Sequence, residues 1–142
     1  MSDKYILYVE DNPSDVALVE RIFKNELKDY QLKHFGTGEL LLEWFASMEL
    51  TYNLPRLILL DNKLTGMSGL EVLKAIRENA RIKNIPTVII SSSVEDKDIQ
   101  KAYQNGANSY LEKPKNYLSL KNTMQAIVNY WLQFNKTYHD RE

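Results

Sequence analysis

Three short stretches of the chain consist almost entirely of apolar residues, and each is followed directly by a polar side chain. They are residues 5–9, 57–60 and 87–90. A continuous apolar run of this length is typical of a strand covered on both faces in a parallel sheet. Weaker patterns over residues 30–35 and 108–112 predict two more strands, the first of them at an edge of the sheet.

Apolar residues recur at helical spacing between the predicted strands, and capping residues mark where some of these helices begin. Asn12 followed by Pro13 predicts the start of a first helix. Ser68 and Glu71 have the spacing of a capping box, which predicts the start of a third helix.

Three further helices are predicted from their apolar stripes. They cover residues 39–48, residues 95–103 and a last stretch that carries Leu120, Met124, Ile127 and Trp131. Strands and helices therefore alternate along the chain. This alternation predicts an α/β fold, a doubly wound, five-stranded parallel sheet with helices on both faces.

Composition limits the kinds of protein that this chain can be. Its 142 residues suit one domain, and 18 basic against 19 acidic residues create no global field that favours nucleic acid or an acidic membrane. The absence of cysteine excludes disulfides and thiolate metal sites. No apolar run approaches the length of a membrane span. We expect one cytoplasmic domain over residues 1–142, with a core of about 4–133 and a polar tail over 134–142.

Polar side chains that could bind a ligand or take part in a reaction follow the predicted strands. Because parallel strands present their carboxyl ends at one edge of the sheet, we expect these residues to converge there: Glu10, Asp11, Asp61, Ser91 and Lys113. Three carboxylates in one pocket repel each other unless a cation lies among them. Oxygen ligands without histidine or thiolate favour Mg²⁺, and a phosphate group is the usual companion of that ion.

The remaining two side chains suit a phosphoryl group beside the metal. Ser91 can donate a hydrogen bond to a phosphoryl oxygen, and Lys113 supplies a compact positive charge. This leaves Asp61 as the nucleophile, since carboxylates form acyl phosphates by in-line attack.

Each of these residues also has an ordinary explanation. Asp61 could cap a turn, and Lys113 could be a surface lysine. Ser91 could cap a helix, although Ser93 is better placed for that role. An X–Pro bond is the realistic place for a cis peptide, and a cis bond between Lys113 and Pro114 would help to aim the amine.

At this point the chain resembles the receiver domain of two-component response regulators, the CheY-like family. The resemblance covers roughly residues 4–133. It rests on the acid pair of Glu10 and Asp11, and on three motifs: LLDNKLTGMSG around Asp61, IISSS around Ser91 and NSYLEKP around Lys113. It implies a (βα)5 flavodoxin-like fold.

The resemblance also implies how the site works. Asp61 is the implied phosphoacceptor, and the implied metal ligands are Asp11, Asp61 and the main-chain carbonyl of Lys63. Glu10 would assist the metal through a water molecule. The implied cofactor is therefore Mg²⁺.

Two residues are implied to contact the phosphoryl group, and one to respond to it. Ser91 and Lys113 would contact the phosphoryl oxygens, and Tyr110 would be an aromatic switch coupled to Ser91. A phosphoryl group that draws Ser91 inwards would bias the face of helix four, strand five and helix five between two states.

The implied function is that of a stand-alone response regulator in a two-component phosphorelay. A sensor histidine kinase supplies the phosphoryl group, and a downstream protein or a histidine phosphotransfer protein reads or receives it. Such a chain is a signalling phosphoprotein rather than an enzyme, apart from self-catalysed phosphotransfer and autodephosphorylation. We expect no output domain, no nucleic-acid partner and no membrane association.

ANSYLEKP followed by a tryptophan-bearing last helix is similar to the small response regulators associated with bacterial phytochrome kinases. That likeness implies homodimers built through the last strand and helix. The aromatic residues Tyr117, Tyr130 and Trp131 would suit such an interface, although Trp131 could equally be a core residue.

The chain departs from the family pattern near the site. Thr65 stands where a proline often follows the phosphoacceptor, Ser68 replaces a common aspartate, and Ser92 replaces a small apolar residue. None of these departures touches the acids, the serine or the lysine that carry the chemistry.

Two other classes of protein compete with this interpretation. A hydrolase that uses Asp61 as its nucleophile on phosphate esters would usually carry a second acid two residues later, where this chain has Lys63. An interaction module that is never phosphorylated would have no physical need for three clustered acids together with Ser91 and Lys113. Both alternatives are therefore disfavoured.

Overall fold

A computed structural model describes residues 5–47 and 53–138, and in them five strands alternate with five helices. The strands are β1 (Tyr5–Val9), β2 (Gln31–Phe35), β3 (Leu57–Asp61), β4 (Thr87–Ser91) and β5 (Ser109–Glu112). The helices are α1 (Pro13–Glu26), α2 (Gly38–Ser47), α3 (Gly69–Glu78), α4 (Asp96–Gln104) and α5 (Tyr117–Val128). A π-helical segment, Asn129–Phe134, continues α5.

The strands form one parallel sheet in the order β2-β1-β3-β4-β5. This confirms the predicted parallel sheet and places β2 at an edge, as its weaker pattern predicts. The chain moves outward from β1 to β2 and then returns to the other side of β1 to form β3. In open α/β sheets such a reversal leaves a crevice at the carboxyl ends of the strands, which is where ligands bind.

Two apolar layers cover the sheet. One layer packs α1 and α5 against one face, and it includes Ile6 and Tyr8 of β1. The other packs α2, α3 and α4 against the opposite face, and it includes Leu7 and Val9 of the same strand. Because neighbouring side chains of β1 point to opposite layers, every position of this strand is buried, and the strand reads as a continuous apolar run.

The predicted helix caps are confirmed. The side chain of Asn12 accepts hydrogen bonds from the backbone of Ser14 and Asp15, with Pro13 in the first turn of α1. At α3, Ser68 and Glu71 form the reciprocal bonds of a capping box. These caps fix where two helices leave the site edge of the sheet.

Some predictions differ from the structure. Helix α4 begins after Glu95 and has no side-chain cap bond. Ser93 is therefore not its N-cap, since the helix begins three residues later. The Ser93 hydroxyl instead donates to Asp98, in the first turn of the helix, at 2.5 Å. The peptide bond between Lys113 and Pro114 is trans, as most X–Pro bonds are, so a cis bond does not aim the lysine.

A few predicted boundaries lie outside the described residues. These are the last residue of the second predicted helix, part of the loop that follows it, and residues 139–142 of the predicted tail. Within the described ranges, none of the helices combines the length and apolar character needed to cross a membrane.

Candidate functional site

The structure brings the predicted polar residues to the carboxyl edge of the sheet. Asp61 ends β3, Glu10 follows β1, Ser91 ends β4 and Lys113 follows β5. The Lys113 ammonium nitrogen lies 3.0 Å from Glu10 Oε1 and 3.4 Å from Asp61 Oδ2. Parallel pairing explains the convergence, since residues far apart in the chain end neighbouring strands at the same height.

Three carboxylates form the acidic part of the site. Oxygens of Glu10, Asp11 and Asp61 all lie within 4.8 Å of one another. Glu10 and Asp61 are buried, whereas Asp11 is accessible to solvent. A cluster of oxygen donors without histidine or thiolate fits a hard cation such as Mg²⁺, which binds carboxylates and retains water on its open side.

Burial and the neighbouring carboxylate of Asp61 together change the protonation of Glu10. Burial of the carboxyl group, together with the hydrogen bond and the charge of Asp61, raises the pKa of Glu10 to about 7, although the ammonium group of Lys113 offsets part of the shift. A cation among the acids would favour the ionised form of Glu10 for the same electrostatic reason.

Lys113 is held by a third acid that the sequence analysis missed. Its nitrogen lies 2.9 Å from Asp15 Oδ2, the shortest of its three ion pairs. Burial alone would lower the pKa of Lys113, but the hydrogen bond to Asp15 and the charges of Asp61 and Glu10 together raise it. The lysine is therefore a fixed positive charge at neutral pH.

A signal for Asp15 was present in the sequence. The Asn12 cap places Asp15 in the first turn of α1, and this turn follows directly from the carboxyl end of β1. An acid in that turn lies above the same sheet edge as the strand-end acids. Its pairing with Lys113, however, joins residues that are 98 positions apart.

Asp11 also has a partner that the sequence analysis did not identify. Both the backbone N–H and the hydroxyl of Thr65 donate to Asp11 Oδ2, at 2.9 and 2.7 Å. The hydroxyl bond is the largest cause of the lowered pKa of Asp11. A proline at position 65, which the family pattern often has, could supply neither donor.

Local backbone geometry fixes the position of Asp61. Asp61 Oδ1 accepts a hydrogen bond from the backbone N–H of Lys63 at 3.2 Å. A Cβ atom on Gly69 would lie only 2.4 Å from the Asp61 carbonyl oxygen, so glycine is required where α3 begins against the end of β3. The metal-binding role of the Lys63 carbonyl stays a prediction.

Ser91 and Tyr110 are joined through Ser93. The buried Ser91 hydroxyl oxygen accepts from the Ser93 N–H at 3.1 Å, and the Tyr110 hydroxyl donates to the Ser93 carbonyl at 2.8 Å. The same residue bonds Asp98 of α4. This loop residue is thus a structural connection between the proposed phosphoryl contact, the proposed switch and α4. The roles of Ser91 and Tyr110 themselves stay predictions.

Aromatic residues at the end of α5 differ in exposure. Trp131 is partly buried and packs against the core layer of α1 and α5, and its ring meets that of Tyr130 edge to face. Tyr130 is 51% exposed and Phe134 is 70% exposed. Tyr117 is partly buried, with the Arg21 guanidinium 5.0 Å above its ring. The exposed aromatic surface therefore centres on Tyr130 and Phe134.

Comparisons with known proteins show which family of proteins this chain resembles. A model of the response regulator receiver domain family matches residues 6–125. The chain is 36% identical over 133 residues to a probable methanogenesis regulatory protein, FilR2, of Methanothrix harundinacea, an alignment that covers 93% of this chain and 86% of that protein. It is 34% identical over 132 residues to the response regulator Rcp1 of Synechocystis sp., covering 92% and 90% of the two chains.

Solved structures show the same fold. The phosphorylated cyanobacterial phytochrome response regulator RcpA aligns with a TM-score of 0.85 and 29% identity, covering 94% of this chain and 97% of that one. The Mn²⁺-bound form of Rcp1 aligns with a TM-score of 0.82 and 32% identity, covering 95% and 99%. The predicted CheY-like fold and the likeness to phytochrome-associated regulators are confirmed.

The raised pKa of Glu10 makes the stability of the metal-free protein depend on pH. The folded state holds the Glu10 proton up to about pH 7, whereas the ordinary pKa is 4.5, so Glu10 favours folding at low pH. This contribution is lost as pH rises from about 4.5 to about 7. We expect the free energy of unfolding in EDTA, measured with urea, to fall less steeply over this range in Glu10→Gln than in the wild type.

The exposed Glu20→Gln variant is the matched control and should keep the wild-type slope. Equal slopes for Glu10→Gln and the wild type would contradict a raised pKa at Glu10.

Proposed function

The chain belongs to the response regulator receiver family, and on that premise we propose that it is a stand-alone response regulator of a two-component phosphorelay. A sensor histidine kinase supplies the phosphoryl group, and Asp61 accepts it. The observation that carries the proposal is the ion pair between Lys113 and Asp61, 3.4 Å apart within a cluster of acids. The alignments with FilR2 and Rcp1, which span most of their lengths, support the stand-alone form.

In the proposed reaction a carboxylate oxygen of Asp61 attacks the phosphorus of a phosphohistidine. A new P–O bond forms, the P–N bond breaks, and the histidine nitrogen leaves with the electron pair and takes up a proton. Lys113 neutralises the transferred charge from one side. A bound Mg²⁺, held by Asp11, Asp61 and the Lys63 carbonyl with Glu10 acting through water, would neutralise charge from the other side.

The proposed response begins at Ser91. A dianionic group on Asp61 would attract the Ser91 hydroxyl, which now accepts a bond from Ser93. Because Tyr110 and α4 are also bonded to Ser93, a shift of this loop would reach the surface of α4, β5 and α5. We propose that a downstream protein or a histidine phosphotransfer protein reads this surface in the cytoplasm, and that signalling, not turnover of substrates, is the activity.

We further propose that the chain forms a homodimer through β5, α5 and the segment that follows. The exposed Tyr130 and Phe134 lie one helical turn apart, with Leu118 also exposed on α5. Exposed aromatic residues of this kind are enriched at protein interfaces.

The phosphoacceptor is tested with a small acyl phosphate and with beryllium fluoride, each in the presence of Mg²⁺. With the acyl phosphate we expect the wild type and the exposed control Asp29→Asn to gain a phosphoryl group, detected by intact-protein mass, and Asp61→Asn to gain none, because only the carboxylate can attack. Beryllium fluoride, which mimics the phosphoryl group, should bind the first two proteins but not Asp61→Asn. Turnover of many phosphate esters would favour the hydrolase instead. No adduct in the wild type would favour the interaction module.

Asp15 should slow phosphorylation, because it draws Lys113 towards α1 and adds negative charge that repels an anionic phosphodonor. We expect Asp15→Asn to react with an acyl phosphate about threefold faster at saturating Mg²⁺. Single-turnover rates for this variant, the wild type and Asp29→Asn measure the effect. A rate equal to the wild type would show that Asp15 does not restrain the lysine.

Exchange of both exposed aromatic residues tests the dimer. We expect the wild type to sediment as a dimer. The double variant Tyr130→Ser, Phe134→Ser should sediment as a monomer, since the apolar contact would be lost. Tyr103→Ser, which removes an exposed tyrosine on α4, is the control. A monomeric wild type would remove this part of the proposal.

A further inference from the structure

We propose that Thr65 determines the metal specificity of the site by confining Asp11 to a single bond with the cation, which favours Mg²⁺ over Ca²⁺. This inference rests on the proposed function, in which Asp11 and Asp61 hold a divalent ion. It assigns a role to a residue outside the acids, the serine and the lysine, at a position where the family pattern often has a proline.

The geometry behind the proposal is a double hydrogen bond to one oxygen. The Thr65 N–H and the Thr65 hydroxyl both donate to Asp11 Oδ2, at 2.9 and 2.7 Å, and neither bond uses Oδ1. Hydrogen bonds to an ionised carboxylate are about twice as strong as those between neutral groups. Asp11 therefore offers Oδ1 to a cation while Oδ2 stays committed to Thr65.

The loop that carries Thr65 is itself held in place. Gly66 adopts a φ of +78°, and the next backbone N–H, that of Met67, donates to Glu39 Oε2 of α2 at 3.1 Å. The capping box of Ser68 then begins α3. Because the loop is anchored on its far side, Thr65 cannot simply follow the Asp11 carboxylate if that group rotates.

Mg²⁺ and Ca²⁺ place different demands on Asp11. Mg²⁺ takes single oxygens in an octahedral shell and retains several waters, so it can use Oδ1 while both Thr65 bonds persist. Ca²⁺ takes more ligands and often binds both oxygens of a carboxylate. To bind in that way at Asp11, Ca²⁺ would have to displace Oδ2 from both donors of Thr65.

Removing one of the two hydrogen bonds between Thr65 and Asp11 should change the stability of the folded protein little. Asp11 and Thr65 both lie at the surface, so the loss of one hydrogen bond between them leaves the packing of the apolar core unchanged. Mutation of a residue that hydrogen-bonds a metal-binding side chain, by contrast, typically changes metal affinity about 10- to 100-fold. Removing the Thr65 hydroxyl should therefore change ion binding without unfolding the protein.

The experiment compares Mg²⁺ and Ca²⁺ binding by isothermal titration calorimetry of the metal-free full chain. Thr65→Val keeps the shape and the N–H but removes the hydroxyl, Thr65→Ala does the same with a smaller side chain, and Thr65→Ser retains both donors. Thr123→Val on α5 is a matched control remote from the site. Thermal unfolding confirms that each variant is folded.

We expect the ratio of the Ca²⁺ to the Mg²⁺ dissociation constant to fall about tenfold in Thr65→Val and Thr65→Ala. The ratio should remain that of the wild type in Thr65→Ser and Thr123→Val. An unchanged ratio, or an equal loss of affinity for both ions, would overturn the inference alone, because general damage to the site affects both ions alike. A wild type that binds neither ion would overturn the proposed function together with this inference.

Discussion

Repulsion among the carboxylates at the carboxyl edge of the sheet is the constraint on which the rest of the structure depends. Two unit charges separated by about 5 Å near a protein surface repel each other by roughly 3 kcal/mol. Lys113 lies against Glu10, Asp15 and Asp61 and offsets part of this repulsion, but one ammonium group cannot balance the acids around it. The remaining negative charge favours a proton on Glu10 or a bound cation.

The acids cannot relieve this repulsion by moving apart, because the packing beneath them is tight. β1 and β3 are buried along their whole length between two layers of helices, and their backbones are paired to each other. Any displacement of Glu10 or Asp61 would require the apolar core to open, and protein cores are close-packed and resist such changes. The fold therefore keeps the carboxylates close together. Their repulsion can be reduced only by a change at the site itself.

Hydrogen bonds link the loops around the site to different helices. Asp11 is tied to Thr65 of the β3–α3 loop, and this loop is tied to Glu39 of α2. Ser91 is tied to Ser93, which also bonds Tyr110 and Asp98 of α4. Asp11 and Ser91 are thus linked to separate helices, so that in the proposed function ion binding and phosphorylation would have separate structural consequences.

The sequence alone determined the architecture and the main members of the site, because these depend on short-range patterns. Continuous apolar runs identified β1, β3 and β4, capping residues identified the starts of α1 and α3, and strand ends predicted that Glu10, Asp61 and Lys113 would meet. The parallel topology follows from the alternation of elements, and it brings distant strand ends together whatever their side chains do.

Only the tertiary structure decided which partner each polar group takes. Asp15 pairs with Lys113 across 98 positions, and Thr65 pairs with Asp11 across 54. Ser93 bonds Asp98 instead of capping α4. Such pairings depend on the direction in which each side chain leaves its helix or loop and on distances of a few ångströms between segments that are remote in the chain. Residue type and spacing indicate where a strand or a helix lies, but they do not indicate the direction in which each polar side chain leaves it.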